Sequence, residues 1–133
     1  MILIAGATGF LGGEICRRLA GSGEAVRGLV RATSDQAAVQ RLQPLGVETV
    51  VGDVRDRPSL VAACRGVRTV VSTVTTTRSR QPGESIEATD EAGQLNLVDA
   101  ARAAGVGHFV YVSYSGNLDD SGPLTHPKSA VEQ

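Results

Sequence analysis

Three glycines near the N-terminus have the spacing of a phosphate-binding turn. Gly6, Gly9 and Gly12 follow an apolar run at residues 1–5 and precede a segment with helical periodicity. This order predicts a strand, a tight turn and a helix whose N-terminal N–H groups could bind a diphosphate. Gly6 would permit a positive φ, Gly9 would let a ligand approach the backbone, and Gly12 would let the helix pack closely on the strand. The spacing favours dinucleotide binding over a glycine-rich turn in another kind of α/β protein.

A second position that could do chemistry is Arg31, directly after the second predicted strand at residues 25–30. In dinucleotide folds, an acidic residue at about this point binds the 2′-OH of the adenosine ribose, whereas an arginine accommodates a 2′-phosphate. Arg31 therefore favours NADP over NAD, and Thr33 and Ser34 add hydroxyl groups nearby. The alternative interpretation is a solvated arginine at a strand end.

The run Gly6-Ala7-Thr8-Gly9-Phe10-Leu11-Gly12 resembles the fingerprint of extended and atypical short-chain dehydrogenases, including the NmrA-like group. The resemblance implies a pyrophosphate site formed by several residues of this run. They are Gly6, Thr8, Gly9, Phe10, Leu11 and Gly12.

The resemblance also implies cofactor contacts after the third and fourth predicted strands. Asp53 would reach the adenine, and Val54 would pack beside its ring. Ser72 and Thr73 would line the nicotinamide ribose with their backbone, at the carboxyl edge where open α/β sheets bind ligands. For Asp53, a carboxylate that caps a turn is an alternative interpretation.

Enzymes of the resembling group use Ser, Tyr and Lys, with the tyrosine four residues before the lysine. Ser113 matches the serine and Lys128 the lysine, whereas Leu124 stands at the tyrosine position and has no ionisable proton. Lys128 would bind the ribose hydroxyls of the nicotinamide half or act as an acid or base. Tyr114 is another candidate proton donor, although packing in the pocket is its more ordinary role.

Lysine without tyrosine resembles the NmrA-like and isoflavone-reductase-like branches. The first hypothesis is therefore the cofactor-binding part of an NADPH-dependent oxidoreductase acting on an unknown small molecule. A non-catalytic NAD(P) sensor that regulates a partner protein is the alternative. A sugar-nucleotide epimerase-like enzyme is a third hypothesis, and the missing tyrosine argues against it.

Strands and helices that alternate along the chain must position these residues. Apolar runs predict five strands, and amphipathic segments between them predict helices. The strands are at residues 1–5, 25–30, 47–51, 67–74 and 108–112. This alternation predicts a doubly wound parallel α/β sheet of the Rossmann type, with strand order 3-2-1-4-5. On the helices, we expect Leu11, Ile15 and Leu19 to form a buried stripe, Ser34 to cap a helix at 35–43, and Ala104 to lie on the apolar face of a helix at 85–104.

Composition indicates one globular domain over residues 1–133. Apolar residues make up 41% and the net charge is −1, which argues against nucleic acid or a membrane surface as partner. The strand that starts at Met1 leaves no room for a targeting segment, so we expect a cytoplasmic protein. Cys16 and Cys64 lack metal-ligating neighbours, so no metal is expected and both should be buried thiols.

The resemblance extends over the whole chain, but members of that family are considerably longer. The sequence therefore looks truncated before the part that binds substrate. Exposed faces of the fifth strand and the last helix could then be covered by a partner, for example in a homodimer.

Overall fold

The computed structural model of the chain describes residues 1–74 and 92–112. These ranges contain the strands Ile2–Ala5 (β1), Val26–Val30 (β2), Glu48–Val51 (β3), Thr69–Ser72 (β4) and His108–Tyr111 (β5). The helices are Phe10–Gly21 (α1), Gln36–Gln40 (α2), Arg57–Ala63 (α3) and Gln94–Ala103 (α4), with a 3-10 helix at Gln43–Leu45. Within those ranges a lipid bilayer could not be spanned by any helix, since the longest has 12 residues.

The five strands form one parallel sheet in the order β3-β2-β1-β4-β5, which confirms the doubly wound prediction. At the centre, Ala5 ends β1 and pairs with Leu29 of β2 on one side and with Ser72 of β4 on the other. The strand order reverses at β1, because the chain adds β2 and β3 on one side and β4 and β5 on the other. In such sheets a crevice opens at the carboxyl edge where the order reverses.

Helices cover both faces of the sheet and enclose two apolar cores. β1 contributes alternate residues to each core and is buried throughout, which explains its unbroken apolar sequence. The core beneath α1 contains Ile2, Ile4, Ala7, Cys16, Val26, Val30, Leu42 and Val47. The core beneath α3 and α4 contains Leu3, Ala5, Leu29, Val54, Leu60, Ala63, Cys64, Val67, Val70, Leu97, Ala100 and Ala101.

Helix α1 contacts β1 along a line of small residues, Gly12 and Cys16, which are both buried. A Cβ atom on Gly12 would overlap the carbonyl group of Gly6, so the helix can lie this close only with glycine there. The predicted stripe is therefore wrong at its first residue. Leu11 is 44% exposed, while Ile15 and Leu19 are half-buried beside the contact line.

Two helix predictions are also wrong. The N-cap of α2 is Asp35, whose carboxylate accepts a hydrogen bond from the N–H of Ala37, whereas Ser34 accepts one from the N–H of Arg31. α2 is shorter than predicted because a 3-10 helix with Pro44 near its start takes over. Ala104 is exposed, because the last buried residue of the long helix is Ala101.

The cysteine prediction is confirmed, since both thiols are free and buried. Cys16 belongs to the core beneath α1, and Cys64 to the core beneath α3 and α4. Burial raises the pKa of the Cys16 thiol to about 11 and also raises the pKa of Cys64. Both therefore stay protonated at neutral pH and serve as small apolar side chains.

Two alanine substitutions in α1 should have opposite effects on stability. Gly12→Ala forces the helix away from Gly6 and should lower the free energy of unfolding by about 1–3 kcal/mol. Gly21→Ala adds a Cβ that has no neighbour within 4 Å in the part of the chain that the structure describes. It should raise the free energy of unfolding by about 0.4–1 kcal/mol, because alanine restricts the unfolded chain. Urea unfolding measures both, and equal effects would contradict close packing at Gly12.

Candidate functional site

The turn between β1 and α1 is built by two glycines with different geometry. Gly6 has a φ of +89°, in the left-handed region that favours glycine, and its carbonyl accepts a hydrogen bond of 3.0 Å from the N–H of Gly9. Gly9 is the N-cap of α1 and has extended backbone angles, φ −79° and ψ 172°. The chain therefore reverses within four residues and presents the start of α1 at the carboxyl edge of the sheet.

The N-terminus of α1 is open to an anion. Among residues 1–74 and 92–112 no side chain caps it, and its first turn contains no acidic residue. Among the described residues, a Cβ on Gly9 would have the Gly6 carbonyl oxygen, at 3.3 Å, as its one neighbour within 4 Å, and Gly9 itself is exposed. Further along, Glu14 accepts hydrogen bonds from Arg17 and Arg18, which lower its pKa to about 2 and compensate its charge. The residues present fit a bound diphosphate.

The remaining residues predicted to bind pyrophosphate border this helix start. Thr8 is half-buried, and Phe10 and Leu11 are 82% and 44% exposed. These two side chains are therefore accessible at the start of α1, where the prediction places the pyrophosphate.

Thr73 joins the end of β4 to the glycine turn. Its N–H and its hydroxyl both donate to the carbonyl of Ala5, at 3.0 and 3.2 Å. A Cβ on Gly6 would overlap the Thr73 hydroxyl, and one on Gly12 would lie 3.0 Å from it. Thr73 therefore packs against the turn at the point where the strand order reverses.

Ser72, in contrast, turns its side chain away from α1. Its hydroxyl donates to the Oε1 atom of Gln94 at 2.7 Å, and the Gln94 amide donates to the carbonyl of Val74 at 2.9 Å. Ser72 and Gln94 are fully buried. This network connects the end of β4 to α4. Because the Ser72 side chain is used there, only the Ser72 backbone can line the nicotinamide ribose, as the sequence analysis predicts.

Sequence reasoning missed Gln94, although one signal was available. Gln94 lies three residues before Leu97 and seven before Ala101, on the same buried face of α4. A polar residue on an apolar helical face must find partners inside the fold. That spacing could have indicated a buried amide.

Arg31 and Asp53 come together at the carboxyl edge because β2 and β3 are neighbours. Val30 pairs with Val51, and the N–H of Gly52 donates to the carbonyl of Val30 at 2.9 Å. Arg31 and Asp53 therefore follow adjacent strand ends, and the Arg31 charge contributes to lowering the pKa of Asp53. The structure thus brings together the two residues predicted to bind the adenosine half.

Asp53 is engaged by Arg55. The Oδ1 atom of Asp53 accepts hydrogen bonds from the N–H and from Nε of Arg55, at 2.8 and 3.0 Å, and Oδ2 accepts from Nη2 at 2.7 Å. These bonds are the main cause that holds the pKa of Asp53 below its ordinary value of 3.8. Asp53 is therefore ionised at neutral pH, and sequence reasoning missed its partner.

Val54 lies inward from this loop. Its side chain is 6% exposed and belongs to the core beneath α3 and α4. Its carbonyl accepts a hydrogen bond of 3.1 Å from the side chain of Asn96 on α4. Helix α4 therefore supports two loops at this edge, with Gln94 behind β4 and Asn96 behind β3.

The residues predicted for catalysis lie outside the described residues. These are Ser113, Tyr114 and Lys128, with Leu124 at the tyrosine position. In residues 1–74 and 92–112, no group of three His, Cys, Asp or Glu side chains could hold a metal ion.

The strand order and the open N-terminus of α1 at its reversal define a Rossmann-type NAD(P)-binding unit. The chain belongs to the NmrA-like family, which matches residues 1–131. Within that atypical short-chain dehydrogenase group, it corresponds to the N-terminal part. The resemblance noted in the glycine run is thereby confirmed.

The relatives of the chain include a sterol demethylase protein and two reductases. A sterol demethylase protein B of Methylococcus capsulatus is 40% identical over 116 residues, which cover 86% of this chain and 34% of that protein. An NAD(P)H azoreductase of Xenophilus azovorans is 33% identical over 121 residues, covering 91% of this chain and 38% of that protein. The crystal structure of Citrobacter sp. triphenylmethane reductase complexed with NADP(H) superimposes with a TM-score of 0.77 at 27% identity, covering 99% of this chain and 44% of that one.

The matched segments thus cover most of this chain but less than half of each relative. The chain spans 34% and 38% of the two curated relatives. Their names therefore describe proteins more than twice as long as the segment that is shared.

Replacing Gln94 by leucine should destabilise the fold. Gln94→Leu keeps the volume similar but leaves the Ser72 hydroxyl and the Val74 carbonyl without their partner. We expect the free energy of unfolding to fall by about 1–3 kcal/mol.

Gln40→Leu is the matched control, because Gln40 is exposed on α2. It should change the free energy of unfolding by less than about 0.5 kcal/mol. Urea unfolding of both variants measures the difference, and a neutral Gln94→Leu would show that the buried network contributes nothing.

Proposed function

We propose that residues 1–133 form the NADPH-binding domain of an NmrA-like reductase. The observation that carries the proposal is the placement of Arg31 at the carboxyl edge of the sheet that also presents the open N-terminus of α1. The backbone amides of α1 would bind the diphosphate, and the Arg31 guanidinium would bind the 2′-phosphate. The two anionic groups of one dinucleotide would then be held by two neighbouring elements.

The choice of NADPH over NADH rests on residue type and position. An acidic residue at the end of β2 would bind the ribose 2′-OH and repel a 2′-phosphate. Arg31 occupies this place, half-buried and with its N–H bonded to Ser34. Partial burial strengthens the attraction between a guanidinium and a phosphate, because less water screens the two charges.

Reductase activity is the finer part of the proposal. Bound NADPH would supply a hydride. Lys128 would hold the ribose of the nicotinamide half, and Ser113 or Tyr114 would position or protonate the substrate. Support comes from the azoreductase and the triphenylmethane reductase among the relatives, and from the match of Ser113 and Lys128 to the group's serine and lysine.

Removing the Arg31 charge should discriminate between the two cofactors. Arg31→Ala loses charge-assisted bonds to the 2′-phosphate and should weaken NADPH binding about 10- to 100-fold. NADH, which lacks that phosphate, should lose less than about threefold. Fluorescence titration with each cofactor gives the two dissociation constants.

Arg68→Ala is the matched control for the loss of one positive charge. Arg68 is exposed, pairs with Glu24 and precedes β4, so it lies at the opposite end of the strands from Arg31. It should change neither constant by more than about twofold. Equal losses of NADPH and NADH in Arg31→Ala would refute the 2′-phosphate assignment.

Turnover separates a reductase from a sensor that only binds the cofactor. A reductase should oxidise NADPH in the presence of a quinone, azo or enone acceptor, which lowers the nicotinamide absorbance. Lys128→Met should reduce that rate about 100-fold if the lysine takes part in proton transfer. Binding of NADPH without oxidation by any of these acceptors would favour the sensor.

A further inference from the structure

Asp53 presents an electrostatic problem for the proposed 2′-phosphate site. It follows β3, next to Arg31 at the end of β2, and it is ionised at neutral pH. A carboxylate at this place would cancel the charge of Arg31 and repel a phosphate. Some other group must offset it if the site is to prefer a 2′-phosphorylated ligand.

Arg55 has the geometry to offset this charge. Its Nε and Nη2 atoms contact both carboxylate oxygens of Asp53, at 3.0 and 2.7 Å, as a two-pronged pair. Such pairs are the strongest arginine–carboxylate contacts. The side chains are 35% and 26% exposed, so water screens the pair less than a pair on the open surface.

The loop that carries the pair is held in place at several points. The N–H of Asp53 donates to the hydroxyl of Ser59 at 3.0 Å, and the N–H of Asp56 donates to the carbonyl of Asp53 at 2.8 Å. The Asn96 side chain binds the carbonyl of Val54 at 3.1 Å. The Asp53–Arg55 pair is therefore part of a defined loop.

We propose that Arg55 is a positioning residue for 2′-phosphorylated nucleotides, acting through Asp53. With Arg55 paired to that carboxylate, the three side chains Arg31, Asp53 and Arg55 together carry a net charge of +1 beside the place where Arg31 would bind the phosphate. The proposal rests on the function proposed above and adds a second determinant of cofactor choice. Because the Nε and Nη2 donors of Arg55 contact Asp53, its effect reaches the ligand through the carboxylate.

A double-mutant cycle tests this mechanism. Arg55→Ala, Asp53→Asn and the double variant are compared with the unmodified protein. The ligands are adenosine 2′,5′-bisphosphate and AMP, which differ only in the 2′-phosphate, and calorimetry gives the dissociation constants. Both probes avoid the nicotinamide half.

Arg55→Ala should weaken the bisphosphate about tenfold, because the carboxylate is no longer offset, and should weaken AMP by less than about twofold. In the double variant the ratio of the two dissociation constants should return to within about twofold of that of the unmodified protein, since neither charge is present and any loss of an adenine contact at Asp53 affects both probes equally. Arg57→Ala is the control for loss of a neighbouring exposed arginine, and it should leave both constants within about twofold.

Three results would overturn the inference. In the first, the ratio of the two dissociation constants in the double variant stays the same as in Arg55→Ala, which would assign Arg55 to direct contact or to the loop itself. In the second, Arg55→Ala has no effect. In the third, AMP and the bisphosphate weaken equally.

Arg31→Ala in the same assay keeps the two proposals apart. If Arg31→Ala weakens the bisphosphate while Arg55→Ala does not, only the present inference fails. If Arg31→Ala has no effect, the 2′-phosphate site itself is refuted, and the role of Arg55 is refuted with it.

Discussion

The close approach of helix α1 to strand β1 is the contact on which the candidate site depends. Gly12 lies against the Gly6 carbonyl, and Gly6 turns the chain with a φ of +89°. Any side chain at Gly12 would move the helix outward. The start of α1 would then move away from the carboxyl ends of β1 and β4. A steric constraint between two backbones thus decides where the helix dipole and its N–H groups point.

Polar contacts from the other face of the sheet complete that edge. Helix α4 sends two amide side chains to it, with Gln94 bonded at the end of β4 and Asn96 bonded to the loop after β3. Each of these amides donates a hydrogen bond to a backbone carbonyl that lies beyond the end of a strand, Val74 after β4 and Val54 after β3. Helix α1 therefore packs behind the glycine turn on one face of the sheet, and α4 binds the ends of β4 and β3 on the other face. The carboxyl edge is thus formed by three layers: α1, the sheet and α4.

The charges at this edge are arranged by strand order. β2 and β3 are neighbours, so Arg31 and Asp53 follow adjacent strand ends although 21 residues lie between them in the sequence. Arg55, bonded to Asp53, adds the second positive charge. The same fold in Citrobacter sp. triphenylmethane reductase is complexed with NADP(H). Membership of the NmrA-like family and the likeness to this complex both point to an NAD(P) cofactor.

Local sequence determined the elements and the glycine turn, because periodicity and glycine spacing act over a few residues. The alternation of strands and helices along the whole chain then predicted the fold class and the strand order. It also singled out Arg31 and Asp53, through their places after apolar runs. It misjudged Leu11, since the buried face of α1 depends on how closely the helix lies on the sheet. Only the tertiary structure decided that Gln94 binds Ser72 and that Arg55 turns to Asp53. These partnerships depend on how the strands pair, which side chains are buried and how far a side chain extends to a neighbouring element. No short stretch of sequence encodes these relations.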